Sequence, residues 1–463
     1  MKKILALLLT LAMLFTLAAC GGSGTQTTND SSTDTTDTDT ADTQPDDSAS
    51  EPDDSADDNA DDGQAAAGDL NVGVFWYAYS DAFLSTVRTA LDASLSAAGI
   101  TYTDYDANNN QATQLEQVQT AITNGVNVLV VNLVTSGSAD AAQQIIDTAG
   151  DLPVVFFNRA PEGDGEEGTV LGANDNVCFI GTDAPEAGHL QGKMIGDFLL
   201  ENYDDIDLND DGEISYAMFM GDAANVEAIY RTQYGVEDAN AVLTAAGKPE
   251  LVYFNASNSD KYQLDPNGAW SSAAAFDFMS VNLAEYSEAN GNMIELIICN
   301  NDDMAAGSIS ALENAGYNLG DGESTKIPVF GVDATQTAQD LIAADKMTGT
   351  VKQDAEGMAN AITSVVKAFG GGASLADAVS ETAGSADMFS VADGFTNKLF
   401  VAYAPFTAGV HRQSLKRGSC QAAAPSLKFT IMGGKTHGSG YPPENDRYHE
   451  DISGRQGPRP RLA

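Results

Sequence analysis

Short apolar runs alternate with amphipathic segments from residue 70 onward, and this pattern predicts the fold. Residues 71–77 and 126–131 have the apolar, β-branched character of strands, and the second run is typical of a strand covered on both faces. Residues 81–98 place apolar side chains at helical spacing and end at Gly99, which indicates an amphipathic helix. Strands that alternate with helices predict an α/β fold built on parallel, doubly wound sheets.

A Gly-rich loop at 162–172 interrupts this alternation, which then restarts and continues to a last strand at 398–403. The number of elements predicts two α/β lobes joined by a hinge rather than one sheet. We expect the chain to cross between the lobes near Cys178, Gln353 and Tyr403. The first lobe would then comprise residues 69–178 and 354–402, and the second lobe residues 179–353 and 403–409.

The N-terminus has the features of a secretory signal. Lys2 and Lys3 precede an apolar run over residues 4–17, and small residues then lead to Cys20. A Cys directly after Leu-Ala-Ala resembles the bacterial lipoprotein signal, in which that Cys receives the lipid and becomes the mature N-terminus. The alternative is an ordinary signal peptide with a fortuitous Cys. Residues 21–68 are acidic, lack Lys, Arg and large apolar side chains, and are predicted to form a disordered linker.

Charge and cysteine content narrow the class of function. The chain has 67 acidic and 22 basic residues, a net charge of −45, which excludes a nucleic-acid partner because phosphates must be met by Lys and Arg. Nine of the basic residues fall in 410–463, a tail without helical or strand period that we predict to be disordered or non-native. Beyond Cys20 the three remaining Cys residues make no disulfide framework, and we expect Cys178 and Cys299 to be buried thiols.

Familiar catalytic signatures are absent from the sequence. It contains no G-x-S-x-G, no phosphate-binding Gly-Lys loop and no H-E-x-x-H, and three of its four His residues lie in the basic tail. We therefore expect binding without chemistry. Asp81 and Asp333 are paired-carboxylate candidates, which leaves a glycosidase as the enzyme alternative.

Polar side chains follow the predicted strands at the point where each strand ends. They are Asp81, Asn132, Asn158, Asn301 and Asp333. Ligands of open parallel sheets bind beyond the carboxyl ends of the strands. Each residue alone is explained as a cap of the next helix. Five of them at corresponding positions in both halves favour a cleft for a neutral polyhydroxy ligand.

Two aromatic residues and one cation fit the same cleft. Phe83 and Trp270 are candidates to stack on the faces of a sugar ring. Phe83 is equally well explained as core, whereas Trp270 follows a turn at 265–268, which favours an exposed stacking role. Arg231 lies four residues after Glu227 on one helix face. This spacing predicts either a surface ion pair or a guanidinium that grips hydroxyl groups.

The segment 207–215 has the spacing of a calcium loop. Side-chain oxygens occupy its first, third and fifth places, and Gly at the sixth place permits a sharp turn. These residues are Asp207, Asn209, Asp211 and Gly212. An EF-hand has a bidentate Glu at the twelfth place, which here is Met218. Either the loop is an Asp/Asn/Gly turn, or the last carboxylate comes from elsewhere in the fold.

Several stretches together resemble the galactose/glucose-binding proteins of bacterial ABC transporters, which have the type I periplasmic-binding-protein fold. The stretches are Tyr-Ser-Asp-Ala-Phe at 79–83, Val-Asn-Leu-Val at 131–134, Val-Val-Phe-Phe-Asn at 154–158, Gly-Thr-Asp at 181–183, the loop at 207–215, Asn-Asn-Asp at 300–302 and Val-Phe-Gly-Val-Asp at 329–333. The resemblance runs from residue 70 to about residue 405 and implies two lobes that close around a hexose.

The resemblance also implies a set of sugar contacts. They are Asp81, Phe83, Asn132, Arg231, Trp270, Asn301 and Asp333, to which the pattern of strand ends adds Asn158. Three further positions depart from the family. Asn225 stands where a His is usual, Glu227 where an Asp is usual, and Gln353 where an Asn is usual. All three retain hydrogen-bonding ability, and the preferred epimer is left open.

A structural Ca²⁺ in the second lobe is a further implication of the resemblance. Its ligands would be Asp207, Asn209, Asp211, Glu213, Ser215 and, from a distant strand, Glu295. A lone acid inside an apolar strand is unfavourable unless it is paired or bound to metal, so the ion would account for Glu295. Ser215 replaces a longer amide at the ninth place and would reach the ion through water.

These features predict a monomeric, lipid-anchored, extracytoplasmic lipoprotein. It would capture galactose, glucose or a related hexose and deliver it to the permease of an ABC importer. The alternative is a surface sensor that reports the bound sugar to a membrane receptor through the same cleft. A sugar-binding repressor shares the fold but is disfavoured by the signal sequence, the acidity and the lack of a DNA-binding head.

Overall fold

The computed structural model describes residues 70–408. The predicted signal peptide with its lipid-accepting Cys20, the acidic linker and the basic tail lie outside the described residues. Among residues 70–408, no helix combines the length and the apolar character needed to cross a bilayer.

Strands and helices alternate through most of this region. The strands are β1 (Asn71–Trp76), β2 (Thr101–Asp106), β3 (Val128–Val131), β4 (Val154–Phe157), β5 (Val177–Gly181), β6 (Ser215–Met220), β7 (Val252–Tyr253), β8 (Gln263–Leu264), β9 (Leu296–Cys299), β10 (Val329–Asp333), β11 (Gly349–Lys352), β12 (Phe389–Val391), β13 (Lys398–Val401) and β14 (Ala404–Thr407). The α-helices are α1 (Ala82–Ala97), α2 (Gln111–Thr123), α3 (Ala139–Ala149), α4 (Ala184–Ile206), α5 (Val226–Ala245), α6 (Ser272–Glu285), α7 (Asp302–Asn314), α8 (Gln336–Ala343), α9 (Ala355–Gly370) and α10 (Leu375–Ala383).

The first sheet has the strand order β12–β13–β5–β4–β3–β1–β2. All neighbours in it are parallel except the edge pair β12–β13. Helices α1, α9 and α10 cover one face, and α2 and α3 cover the other. Strands β3, β4 and β5 are buried along their whole length, as their continuous apolar runs predict.

The second sheet has the order β14–β11–β10–β9–β6–β7, and β8 also pairs with β6. Only β14 runs antiparallel to its neighbour. Helices α6, α7 and α8 pack on one face, and α4 and α5 pack on the other. The predicted α/β fold with parallel sheets is therefore confirmed, with one antiparallel edge pair in each sheet.

The chain passes between the two sheets at three places. Strand β5 lies wholly in the first sheet, so the chain crosses after Gly181 and not at Cys178 as predicted. It returns between Lys352, the last residue of β11, and Ala355, the first of α9. The strand predicted at 398–403 ends at Val401 as β13 of the first sheet, and after Ala402 and Tyr403 the chain enters β14 of the second sheet.

Other differences from the predicted elements lie at the edges of the sheets. The sequence pattern did not predict β8, β12, β14 or α10, and β7 has only two residues. The residues of β8 and β12 are only partly buried or exposed, so they lack the apolar run by which a buried strand is recognised. Cys178 and Cys299 are buried free thiols, as expected.

Candidate functional site

A cavity opens where the carboxyl ends of the strands of both sheets meet. Its empty volume is about 390 Å³, which includes space open to solvent. The lining residues are Tyr77, Asp81, Phe83, Leu84, Asn158, Arg159, Asn225, Glu227, Arg231, Trp270, Asn301, Asp333 and Gln353. Ten of the eleven residues predicted to bind sugar are among them, and Asn132 is not.

Three of the lining residues also cap helices. The Oδ1 of Asp81 accepts from the backbone N–H of Leu84 at the start of α1, at 2.8 Å. Asn225 caps α5 and Asn301 caps α7 in the same way, each at 2.9 Å. The two explanations of these side chains therefore hold together. Capping fixes the side chain at the end of a strand, and that position faces the cavity.

The Arg231 guanidinium is the most heavily bonded group at the site. Arg231 is 3% exposed, so it does not form a surface ion pair with Glu227. Its Nη1 donates to the carbonyl of Asn300 at 2.9 Å, and its Nη2 donates to Oε2 of Glu227 at 3.1 Å and to the hydroxyl of Tyr403 at 2.7 Å. The Oδ1 of Asp333 lies 3.8 Å from Nη1. The guanidinium is thus paired on two sides within the protein.

Trp270 forms part of the cavity wall and is held firmly. It is 6% exposed, so the side chain is buried and not exposed as predicted. The ring lies directly on Gly221, where a Cβ atom would stand 2.2 Å from Cδ2 of the indole. The Nδ2 of Asn301 donates to the Trp270 carbonyl at 3.2 Å. Phe83 is 7% exposed and belongs both to the core and to the cavity lining, and its stacking on a sugar ring stays a prediction.

Three buried nitrogen atoms in the cavity lining have no hydrogen-bond partner in the protein. They are Nε of Arg231, Nε1 of Trp270 and Nε2 of Gln353. All three are donors. A buried donor without an acceptor costs about 1–3 kcal/mol, so the cavity is chemically suited to a ligand that carries several oxygen acceptors.

Backbone strain also concentrates at the cavity. Asn158, Trp270 and Asp333 have φ angles of 59°, 56° and 123°, in the region that favours glycine. Strained residues of this kind persist only where the surrounding structure holds them, and they cluster at binding sites.

Asn132 supports the site from behind. It is fully buried, accepts from the N–H of Tyr77 at 3.3 Å, and donates to the carbonyl of Phe157 at 3.1 Å. It thereby ties the ends of β1 and β4 together. Its side chain also lies 3.3 Å from Oδ1 of Asn158, which does line the cavity. The amide is used by the protein, which explains why it does not line the cavity.

Tyr77, Leu84 and Arg159 line the cavity but were not predicted from the sequence. The hydroxyl of Tyr77 donates to Oδ2 of Asp81 at 2.6 Å. Arg159 donates through Nε to the carbonyl of Leu133 at 2.7 Å, and its guanidinium lies over the Tyr77 ring. The available signal was position, because Tyr77 directly follows β1 and Arg159 comes two residues after the end of β4.

Side chains from the two sheets touch each other beside the cavity. The Nη2 of Arg159 lies 3.3 Å from Oδ2 of Asp222, which follows β6. The hydroxyl of Tyr230 lies 3.1 Å from Oδ1 of Asp164. Backbone also approaches closely, since a Cβ atom at Gly137 would stand 2.8 Å from the carbonyl oxygen of Ala224. The cleft is therefore closed in this structure.

The loop at 207–215 lies far along the chain from its partner Glu295. Both oxygens of Glu295 accept backbone N–H groups, from Leu208 and Ser215, each at 2.8 Å. Burial raises the pKa of this carboxyl, while the hydrogen bonds from Ser215 and Leu208 oppose the shift. The hydroxyl of Ser215 donates to the Met293 carbonyl at 2.8 Å. Glu295 thus joins the two ends of the loop to the strand that leads into β9.

The loop carboxylates bind the loop itself. The Oδ2 of Asp207 accepts from the N–H of Gly212 at 2.8 Å, and Oδ1 of Asp211 accepts from the N–H of Glu213 at 2.9 Å. Asn209 accepts from the N–H of Asp211 at 2.9 Å. In the part of the chain that the structure describes, no group of three or more His, Cys, Asp and Glu side chains is gathered as a metal ion requires.

The sequence model of the periplasmic binding protein domain matches residues 72–373, which is more than half of the chain. The chain belongs to the periplasmic binding protein domain family.

Individual relatives agree with the family. The D-galactose/methyl-galactoside binding periplasmic protein MglB of Haemophilus influenzae is 32% identical to this periplasmic binding protein over 299 residues, 64% of this chain and 80% of that protein. An ABC transporter solute binding protein from Clostridium phytofermentans, solved with bound β-D-glucose, has a TM-score of 0.57 at 20% identity, covering 76% of this chain and 98% of the other. The Caulobacter myo-inositol binding protein has a TM-score of 0.54 at 21% identity, covering 77% and 99%. These two structures establish the shared fold.

An acidic group lies behind the cavity of this periplasmic binding protein. Asp302 is buried and accepts from the N–H of Thr335 at 2.7 Å and the hydroxyl of Thr350 at 2.6 Å. Burial raises the pKa of Asp302 to about 7, and burial also raises the pKa of the neighbouring Asp333 well above its usual range. Both carboxyls therefore bind a proton more tightly in the folded protein than in the unfolded chain.

The stability of the ligand-free protein is expected to fall as pH rises from about 4 to about 7. The folded pKa of Asp302 lies above the unfolded value of 3.8, so its contribution is fully present below 3.8 and is lost as pH rises through about 7. Urea unfolding at several pH values measures this slope. Asp302→Asn should flatten it, whereas Asp321→Asn, at an exposed carboxyl, should leave it unchanged. A slope equally steep in Asp302→Asn would contradict the assignment.

Proposed function

We propose that this protein captures galactose, glucose or a related hexose outside the cytoplasm and delivers it to an ABC importer. The observation that carries the proposal is the convergence of three unpaired buried donors, from Arg231, Trp270 and Gln353, on one cavity. The hydroxyl oxygens of a neutral sugar are acceptors of the required kind. The similarity to the galactose-binding relative from Haemophilus influenzae supports this class of ligand.

The two lobes would hold the hexose between them. Trp270 and Phe83 supply apolar surface for the faces of the ring, and the carboxyls of Asp81 and Asp333 supply acceptors for hydroxyl protons. Since lining residues come from both sheets, the full set of contacts exists only when the lobes are together. Binding would then select the closed form, which the importer receives. No step of this process requires a covalent change in the sugar.

Calorimetric titration with galactose, glucose, xylose and ribose tests the proposal, and we expect at least one hexose to bind more tightly than either pentose. Trp270→Phe should weaken hexose binding at least tenfold, because it removes ring surface and the Nε1 donor. Trp76→Phe is a matched control, since Trp76 is buried in the first lobe and does not line the cavity. Absence of heat with every hexose would refute the sugar assignment.

We further propose that Ca²⁺ binds the loop at 207–215 and has a structural role. The residues that would hold it are Asp207, Asn209, Asp211, Glu213, Ser215 and Glu295. Carboxylate, amide and hydroxyl oxygens are the donors that this hard cation prefers. Within residues 70–408, none of the four acids in this set forms an ion pair with a Lys, Arg or His side chain, so a cation would relieve their mutual repulsion.

Chelation is expected to lower the melting temperature while leaving hexose affinity largely intact, because the loop does not line the cavity. Glu295→Gln should lower the melting temperature in the presence of Ca²⁺ and reduce the effect of chelator. Glu201→Gln, at an exposed position of α4, should respond to chelator like the parent protein. A collapse of hexose binding on chelation would contradict a purely structural role.

The N-terminal sequence supports a lipid anchor at Cys20, and we propose that the protein acts as a monomer tethered to the outer face of the cell membrane. Its Leu-Ala-Ala-Cys sequence after a short apolar run carries the proposal. In cells fed a labelled fatty acid, we expect the label in the membrane-bound protein and its loss, with release from the membrane, in Cys20→Ser. Ser23→Ala is the control. Equal labelling of both variants would overturn the anchor.

A further inference from the structure

Tyr403 lies at the centre of a buried polar cluster beside the cavity. Its hydroxyl accepts from Nη2 of Arg231 at 2.7 Å and donates to Oε2 of Glu227 at 2.9 Å. The hydroxyl of Thr182 donates to Oε1 of Glu227 at 2.6 Å and lies 3.0 Å from the Tyr403 hydroxyl. All four residues are less than a tenth exposed. The four side chains therefore form a largely buried cluster linked by hydrogen bonds.

The members of the cluster lie at two of the chain crossings and in the second lobe, and these parts would move relative to one another if the lobes opened. Thr182 directly follows β5, where the chain leaves the first sheet. Tyr403 lies between β13 and β14, where the chain crosses again. Glu227 and Arg231 are on α5 of the second lobe. The cluster thus joins two of the three crossings to a residue that lines the cavity.

Glu227 is committed to this cluster. Each of its oxygens accepts from protein donors, Oε1 from Thr182 and Oε2 from Arg231 and Tyr403. A Glu stands here where the resembled family usually has an Asp, and the additional methylene lengthens the reach of the carboxylate. Glu227 also separates the cavity from a neighbouring one with an empty volume of about 690 Å³, because it lines both.

We propose that Tyr403 is a positioning residue for hexose binding, which acts by holding Arg231 through the Tyr403–Glu227–Thr182 cluster. This inference rests on the proposed function. Glu227 then binds residues at the chain crossings and not the sugar. The ligand accepts a hydrogen bond from Nε of Arg231, the one nitrogen of the guanidinium that has no partner in the protein.

Hydrogen-bond directions are consistent with this role. Arg231 can only donate to this cluster, and the single phenolic proton of Tyr403 has two acceptors within reach, Oε2 of Glu227 at 2.9 Å and Oγ1 of Thr182 at 3.0 Å. Burial raises the pKa of Tyr403 well above its usual range, which keeps that proton in place. Loss of the hydroxyl would leave Nη2 of Arg231 with Glu227 as its only partner, at 3.1 Å, and the guanidinium would be held less firmly.

Tyr403→Phe tests the proposal, with Tyr216→Phe as the matched control. Tyr216 is also buried, lies in β6 and belongs neither to the cavity lining nor to the cluster. We expect Tyr403→Phe to weaken hexose binding about tenfold, equivalent to about 1.4 kcal/mol, and Tyr216→Phe to change it less than twofold. Equal affinities of the two variants in calorimetric titration would overturn the proposal.

Thr182→Val provides a second measurement away from the ligand. Thr182 does not line the hexose cavity, yet it holds Glu227. We expect a severalfold loss of affinity, and we expect the double variant Thr182→Val/Tyr403→Phe to lose less than the sum of the two single losses in binding free energy, because both act through one cluster. Thr244→Val, at an exposed position of the same helix as Arg231, is a control for removal of a hydroxyl. Fully additive losses would contradict a shared cluster.

A ligand-free measurement separates failure of this inference from failure of the proposed function. A double-mutant cycle of Tyr403→Phe and Arg231→Lys in urea unfolding measures their coupling without any sugar. We expect non-additive losses of stability, and additive losses would overturn the cluster. If the parent protein binds no hexose but the cycle shows non-additive losses, the hexose proposal is refuted and the pairing of Tyr403 with Arg231 remains.

Discussion

A buried guanidinium is the interaction on which the cleft depends. Arg231 is removed from water, and an unpaired charge in that position would be strongly unfavourable. The protein pairs it with Glu227, Tyr403 and the carbonyl of Asn300, which together occupy both terminal nitrogens. Breaking one of these contacts leaves a buried charge short of a partner, which is why such clusters hold one geometry closely. The cavity inherits that geometry, because Arg231 forms part of its wall.

Parallel sheets explain why the remaining polar residues meet at the same place. Asp81, Asn225 and Asn301 are caps required by the helices that follow, and each cap stands at the carboxyl end of a strand. The carboxyl ends of the strands of both sheets face one cleft. The side chains that cap the helices are therefore brought together there. Asn158, Trp270 and Asp333 also line the site and have positive φ angles. Helix capping does not explain this backbone strain, so the surrounding packing must maintain it.

The parts of the fold and site that follow local rules could be predicted from the sequence, and the parts that depend on distant contacts could not. Apolar periodicity identifies the central strands, and strand-end polarity combined with the family resemblance identifies most of the cavity lining. Position alone did not identify Arg159, whose partner Asp222 is 63 residues away. The bond between Arg231 and Tyr403 spans 172 residues. Asn132 is the opposite case, because it fits the strand-end pattern but does not line the cavity. Its side-chain amide is hydrogen-bonded to the backbone of Tyr77 and Phe157 instead.

The free-energy terms of the closed cleft indicate that the ligand determines whether the lobes are open or closed. The contacts that join the lobes at its edge, Arg159 to Asp222 and Tyr230 to Asp164, are single polar contacts with at least one partly exposed partner, and such contacts contribute about 0–1 kcal/mol each. Closure without ligand also leaves buried donors of Arg231, Trp270 and Gln353 without acceptors, at about 1–3 kcal/mol for each. The two contacts together contribute at most about 2 kcal/mol and the three donors cost at least about 3 kcal/mol, so these terms disfavour closure without a ligand. A ligand that supplies the missing acceptors removes the unfavourable term only in the closed form, and that differential interaction is what shifts a conformational equilibrium.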